Sequence, residues 1–296
     1  MSTLAYDEVA AVQLPKLFQI DPAAALVVQR RRGSGGAGTF FADTKEQAVD
    51  ISVRLGSESV LVSRRLRDTE VVNSLIGVAG QVAAAGPQTL QGVGIPACTN
   101  IPTAYCGSDV GAVGRLPAVV TNTVRDVSHA IAAALGRLGY QGLAGVDFLY
   151  DRDEEELYPI DLNPRFQAST RLASNAERAM GREFSFAELV LGHQAGILPA
   201  TALLNWAPSA MNRSQLTVFN QQPHAVRLTS FAERAIEEDA VPLRLLGLPR
   251  RETVVMPGAT LGMIEGSFSI GVKSHRWTQA LDVVQALADA FEPALE

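Results

Sequence analysis

Two neighbouring segments of the chain each read as a strand with an acidic residue set into an otherwise buried-type pattern. Gly142-Leu-Ala-Gly-Val-Asp-Phe-Leu-Tyr-Asp151 and Leu157-Tyr-Pro-Ile-Asp-Leu-Asn-Pro-Arg165 flank the acidic turn Asp151-Arg-Asp-Glu-Glu-Glu156. Side chains alternate faces along a strand, so Asp147 and Leu149 oppose Val146, Phe148 and Tyr150. On the second strand Asp161 and Asn163 share one face, and Ile160 and Leu162 the other. A hairpin closing symmetrically about the turn sets Asp147 roughly across from Asp161. A polar strand end running into an Asn-Pro turn accounts for the second segment alone. Two facing carboxylates, however, destabilise a sheet unless something positive lies between them. Hard oxygen donors held loosely by protein suit magnesium, which keeps waters and shares phosphate oxygens. Asp147, Asp161 and Asn163 are therefore candidate metal ligands, with Arg165 just beyond them.

A chain of 296 residues holds one large or two modest domains with real cores. Its net charge of -6 argues against non-specific nucleic-acid binding, which needs a basic footprint. Cys98 and Cys106 are too few for a zinc site or a disulfide scaffold, and read as reduced thiols. The acidic start, with no basic n-region and no run of membrane-spanning length, points to a cytoplasmic protein without a signal peptide or membrane segment. Only Lys16, Lys45 and Lys273 are lysines among the 25 Lys and Arg residues, so a mechanism that needs a lysine at a set place is easily checked.

Along the chain, residues 1–22 form a mixed N-terminal segment. Ala24–Val28 and Phe40-Phe-Ala read as short strands, and Thr44-Lys-Glu-Gln47 as a capping box opening a helix that Gly56 ends. Val60-Leu-Val and Glu70–Val78 are strands, and Gly86–Gly107 is expected to be loop with short strands. Thr123-Val-Arg-Asp126 reads as a helix start, with Val127, Ile131, Ala134, Leu135 and Leu138 as its apolar stripe. A further helix is expected near Glu183–His193. From about 200 the pattern changes to short strands (Leu216–Phe219, Ala225–Leu228, Thr253–Met256, Ser267–Val272) and a closing helix over Trp277–Phe291. This divides the chain into residues 1–22, a core over 23–200, and a β-rich subdomain over 201–296. The mix of helix and hairpin-like strand pairs indicates an α+β fold with antiparallel sheets and flanking helices.

Gly33-Ser-Gly-Gly-Ala-Gly38 satisfies G-x-G-x-x-G, but no strand runs straight into it and no helix opens there, as a dinucleotide fingerprint requires. No Gly-Lys-Ser/Thr follows it either. What remains is a glycine-rich turn between strands, either a surface hairpin with a solvated arginine run or a phosphate cover built from backbone N–H groups. Arg30, Arg31 and Arg32 would add positive charge to the second of these.

A glycine-rich β-loop, a helix, a strand pair and a late Asp…Asp-x-Asn-x-Arg, in this order, resemble the ATP-grasp superfamily over about residues 24–200. The most specific parts are Gly139–Asp147 and Ile160–Thr170. Pro87-Gln-Thr-Leu-Gln91 and Tyr105-Cys-Gly-Ser-Asp109 are similar to segments of a branch that joins carboxylates to amines. The resemblance implies that Asp147, Asp161 and Asn163 hold Mg2+ on the phosphates of ATP, and that Arg165 steadies the acyl phosphate or its tetrahedral successor. It implies that Gly33, Ser34, Gly35, Gly36 and Gly38 cover the phosphates, and that the segment from Val60 to Leu66, with Ser63, Arg64 and Leu66, is the hinge that reads adenine. Gln29 stands where the family often has a lysine, and Arg31, on the same strand face, is the nearest replacement charge. Ser63 and Arg64 stand where a hinge acid is often found. Relatives carry a whole domain ahead of the glycine loop, whereas some 30 residues precede it here. The expected partners are thus small-molecule carboxylate and amine substrates, with either self-association or a second chain supplying the N-terminal part.

The implied reaction is ATP-dependent activation of a carboxylate followed by attack of an amine. Such chemistry needs positioning and charge neutralisation more than a protein nucleophile, and no Ser-His-Asp or Cys-His set is apparent. The alternatives are a partner-dependent nucleotide-binding subunit without catalysis and, ranked last, a carboxylase-type substrate such as bicarbonate.

Overall fold

The computed structural model describes residues 7–21, 25–34, 36–208, 210–228, 243–251, 253–272 and 274–294. Gly35 of the glycine-rich turn and Ala24, the expected start of the preceding strand, lie outside the described residues. Contacts group the chain into two compact units.

The first unit takes the described residues up to Glu70, with Thr103–Tyr105 and Leu149–Ile160. Its elements are β1 (Asp7–Ala10), α1 (Leu14–Ile20), β2 (Leu26–Ser34), β3 (Ala37–Ala42), α2 (Lys45–Leu55) and β4 (Ser59–Arg64). The strands form an antiparallel sheet in the order β1-β4-β2-β3. Leu14 and Phe18 of α1 and Ala48 and Ile51 of α2 share one core with Val28, Val60 and Val62 of the sheet. Thr44 caps α2 by accepting from the Gln47 N–H. The reciprocal half of the box differs from expectation: the Gln47 side chain accepts from the N–H of Asp43. β2 continues past Val28 through the arginines, because Arg30 and Arg31 find acidic partners in Glu58 and Glu8.

The second unit takes 71–102, 106–148 and the described residues from Asp161 onward. It holds most of an eight-stranded sheet, in the order β12-β14-β10-β7-β6-β5-β8-β9. The strands are β5 (Thr69–Ala79), β6 (Val82–Val93), β7 (Tyr105–Asp109), β8 (Gly142–Asp151), β9 (Glu156–Asn163), β10 (Ser214–Phe219), β12 (Arg244–Leu246) and β14 (Thr260–Gly266). Helices α3 (Ala118–Arg137), α4 (Ala168–Ala179), α5 (Phe186–Gln194) and α6 (His275–Asp289) accompany it. β11 (Val226–Leu228), β13 (Val254–Val255) and β15 (Phe291–Pro293) make a small second sheet in the order β13-β11-β15. The eight-stranded sheet crosses position 200, since β10 pairs with β7. The α+β class with antiparallel pairing and a small C-terminal sheet is what the pattern indicated.

Several elements depart from the sequence pattern. The expected loop from Gly86 begins instead inside β6, where glycine is required because a Cβ at Gly86 would lie 2.5 Å from the Phe186 ring. The helix expected from Thr123 starts at Ala118, behind Pro117. Its buried face is Val120, Val124, Ser128 and Ala132, one position round from the expected stripe, and Leu138 is exposed. α4 was not expected at all. Ser267–Val272 is not a strand: the Asp109 carboxylate accepts from the Ser269 hydroxyl and the Ile270 N–H, drawing the segment away from a ladder, and Thr260–Gly266 supplies the strand. The last helix begins at His275, capped by Ser274, and releases Phe291 to β15.

Candidate functional site

Over Val146–Tyr150 in β8, burial alternates as the sequence requires: Val146, Phe148 and Tyr150 are buried and Asp147 and Leu149 half-buried. The Asp147 carboxylate is surrounded by amides. Oδ1 accepts from Asn73 Nδ2 at 2.8 Å and from Gln91 Nε2 at 2.7 Å, and Oδ2 from Asn163 Nδ2 at 3.2 Å. Asn73 on β5 and Gln91 on β6 thereby hold one oxygen and leave the other toward β9. Burial pushes the Asp147 carboxyl up to about 6, and the Asp161 charge adds to this, against the opposing pull of the Asn73 and Gln91 amides and of Arg165.

The same Asn163 Nδ2 donates to Asp161 Oδ2 at 2.8 Å, so one amide joins both carboxylates. Its Oδ1 accepts from Arg165 Nη2 at 3.1 Å. The four residues singled out in the sequence thus converge, and the two carboxylates share a single neutral donor. The segment from Asn163 to Gln167 is shaped from beneath by Gly145. A Cβ there would lie 2.4 Å from Gln167 Cγ, and Gln167 Nε2 donates to the Arg165 carbonyl at 3.1 Å. Gln167 also closes a capping box with Thr170 at the start of α4. One residue further on, the buried Ser169 hydroxyl donates to Asn73 Oδ1 at 2.7 Å, tying α4 to the amide that holds Asp147.

The donor set fits magnesium. Among the described residues no group of three or more His, Cys, Asp and Glu side chains forms a metal cage. Two carboxylates and an amide oxygen, completed by water and phosphate, are the kind of site this ion occupies. Burial first, and the neighbouring Asp161 charge second, raise the Asp147 carboxyl, and a cation bound between the two carboxylates would oppose both effects.

The remaining candidates belong to the first unit. Gln29 is half-buried on β2, paired with Thr39 and Leu61. Arg31 Nη2 donates to Glu8 Oε2 at 2.5 Å, and Arg30 makes a forked pair with Glu58. Gly33 and Ser34 end β2, and Gly36 and Gly38 stand across the turn with φ of 84° and 95°. The Thr103 hydroxyl donates to the Gly36 and Thr39 carbonyls at 3.1 and 3.2 Å. A Cβ at Gly36 would clash with the Thr103 carbonyl, so only glycine admits this latch. Ser63 is buried in β4, opposite Val27; Arg64 is exposed and forms a forked pair with Glu154; Leu66 is half-buried beyond the strand.

Sequence reasoning missed Asn73, Gln91, Gln167 and Ser169 as supporting residues. The legible signals were the polarity of Asn73 inside the apolar stretch Val71–Val78 and the place of Gln91, Gln167 and Ser169 in the segments that resemble the family. Asp109, which lies in a segment resembling the family, is 1% exposed and saturated by the Ala112 N–H, Ser269 and Ile270, which makes it a structural brace.

No curated protein matches the chain. Its structure is similar to N5-carboxyaminoimidazole ribonucleotide synthetase from Thermotoga maritima (TM-score 0.63, 13% identity, 100% of this chain and 69% of that one). It is also similar to the biotin carboxylase domain of Hydrogenobacter thermophilus 2-oxoglutarate carboxylase, solved with MgADP, ADP and bicarbonate (TM-score 0.62, 11% identity, 99% of this chain). The chain spans 63% of that domain's length. A third similar structure is N5-carboxyaminoimidazole ribonucleotide synthetase from Thermus thermophilus (TM-score 0.57, 20% identity, 100% of this chain and 70% of that one). At these identities the likeness is one of fold. Among the described residues no helix is long and apolar enough to cross a membrane. A family model for the ATP-grasp domain matches residues 7–169, more than half of the sequence, and the chain belongs to the ATP-grasp family.

Proposed function

We propose that this chain is an ATP- and Mg2+-dependent ligase that activates a carboxylate as an acyl phosphate and joins it to an amine, such as an amino acid or peptide. The observation that carries the reading is the junction at Asn163, where one amide bridges Asp147 and Asp161 while Arg165 holds its other end. Asp147, Asp161 and Asn163 would hold magnesium. Bound there with ATP, the ion would neutralise phosphate charge during phosphoryl transfer. Asn73 and Gln91 fix the Asp147 rotamer beforehand. To ligate through Oδ1, Asn163 must turn its amide over, and this frees the Arg165 guanidinium for the anionic oxygens of the substrate. Within the first unit, Gln29, Arg31, the Gly33–Gly38 turn and the hinge residues Ser63, Arg64 and Leu66 are the proposed nucleotide contacts.

A second reading, a nucleotide-binding subunit without catalysis, is favoured by the Arg31–Glu8 pair, which engages the charge proposed to replace the family lysine. Hydroxylamine trapping separates the two. A ligase converts its acyl phosphate to a hydroxamate when given ATP, Mg2+ and the right carboxylate, and Arg165→Met abolishes the product. Magnesium-dependent ATP binding with no hydroxamate across a broad carboxylate panel would support the second reading.

A further inference from the structure

Glu265 on β14 is 2% exposed, yet two guanidinium groups meet its carboxylate. Arg213 Nη1 donates to Oε1 at 2.9 Å and Arg171 Nη1 to Oε2 at 2.7 Å. One arginine suffices to neutralise a buried carboxylate; the second leaves the cluster cationic, in a chain of net charge -6. Arg244 stands opposite Glu265 in the β12–β14 register and adds to the surplus. The two paired arginines differ in setting. The Arg213 side chain is mostly covered, whereas that of Arg171 is 43% exposed. Gln215 Oε1 also accepts from Arg171 Nη2, so the planar fork of Arg171 is held on both sides while part of it faces outward.

This cluster is continuous with the carboxylate site in the same unit. Arg171 lies on α4, whose Ser169 bonds Asn73, which in turn bonds Asp147. Arg165 and Arg171 are six residues apart, at most about 20 Å even fully extended, and the span is shorter still because residues from Ala168 on are helical.

We propose that Arg171, oriented by Glu265 and Gln215, binds a carboxylate that the reaction leaves untouched: the α-carboxylate of an amino-acid substrate. The inference rests on the ligase reading, whose substrates are a carboxylate and an amine. A guanidinium fork donates two parallel N–H bonds to a carboxylate, which a lysine cannot reproduce.

The test is calorimetric titration of the twenty common amino acids, their α-carboxamides and inorganic phosphate into protein saturated with Mg2+ and a non-hydrolysable ATP analogue. At least one acid should bind about 10- to 100-fold more tightly than its amide, as charge-assisted hydrogen bonds allow. Arg171→Met should make acid and amide equal without changing nucleotide affinity, and Arg171→Lys should restore only part of the preference. Equal binding of acid and amide by the wild-type protein overturns the proposal, as does nucleotide binding with no acid bound, or phosphate binding more tightly than any acid. Failure to bind the nucleotide overturns the ligase reading itself, and this proposal with it.

Discussion

Asn73 Nδ2 lies 2.8 Å from Asp147 Oδ1, and Asn73 is itself 1% exposed. A buried amide therefore positions the carboxylate at the centre of the candidate site, and its own oxygen is occupied by Ser169. Asn73→Ala strips a donor from Asp147 and an acceptor from Ser169 in one step. The expected cost is about 1–3 kcal/mol, read as a lower urea midpoint with an unchanged m-value.

Asp147 makes stability depend on pH in an unusual sense. Its carboxyl is pushed up to about 6 in the folded chain, against about 3.9 when unfolded. Between these values the folded state holds a proton that the unfolded state has lost, so this group's contribution falls as pH rises from about 4 to about 6. Above that range the buried charge is a standing cost of roughly 1–3 kcal/mol. Asp147→Asn should therefore raise the melting temperature at pH 7 in magnesium-free buffer and remove this component of the pH profile. A variant less stable than wild type at pH 7 would contradict the assignment.

Gly145 faces Gln167, whose side chain secures the segment carrying Asn163 and Arg165. Gly145→Ala should displace it at a cost of about 1–3 kcal/mol, as overpacking does. In a Gln167→Ala background the same change should cost much less, a coupling that a double-mutant cycle would measure.

Phe186 is fully buried, and its ring occupies the space where a Cβ at Gly86 would sit. It also meets Trp206 edge-on at 5.0 Å between centroids. Gly86→Ala should destabilise by roughly 1–3 kcal/mol, and Phe186→Leu in the same chain should recover part of the loss. Thermal denaturation of the wild type, Gly86→Ala and the double variant decides this.

The parts legible in the sequence were those where one physical rule dominates. Strand alternation placed Asp147 against Val146 and Phe148, and put Asp161 and Asn163 together; Thr44 marked the start of α2. Illegible parts were those where packing overrides local signals. The buried face of α3 includes Ser128 and Ala132, small residues that a search for large apolar side chains skips. α4 is rich in Ala and Ser, with Leu172 as its one large aliphatic residue, and is capped by Gln167, which is not a favoured N-cap type. Glu265 was invisible because its partners, Arg171 and Arg213, come from distant elements.

Asp147, Asp161 and Asn163 are proposed to hold magnesium together with ATP. The most direct measurement is the shift in melting temperature with ATP, with and without Mg2+, for wild type and Asp161→Ala. At a hundredfold excess over Kd the complex should gain about 2.7 kcal/mol, a few degrees for a chain of this size. A shift that needs magnesium and disappears in Asp161→Ala is the predicted result. A shift equally large without magnesium, or one that survives the substitution, would contradict the site.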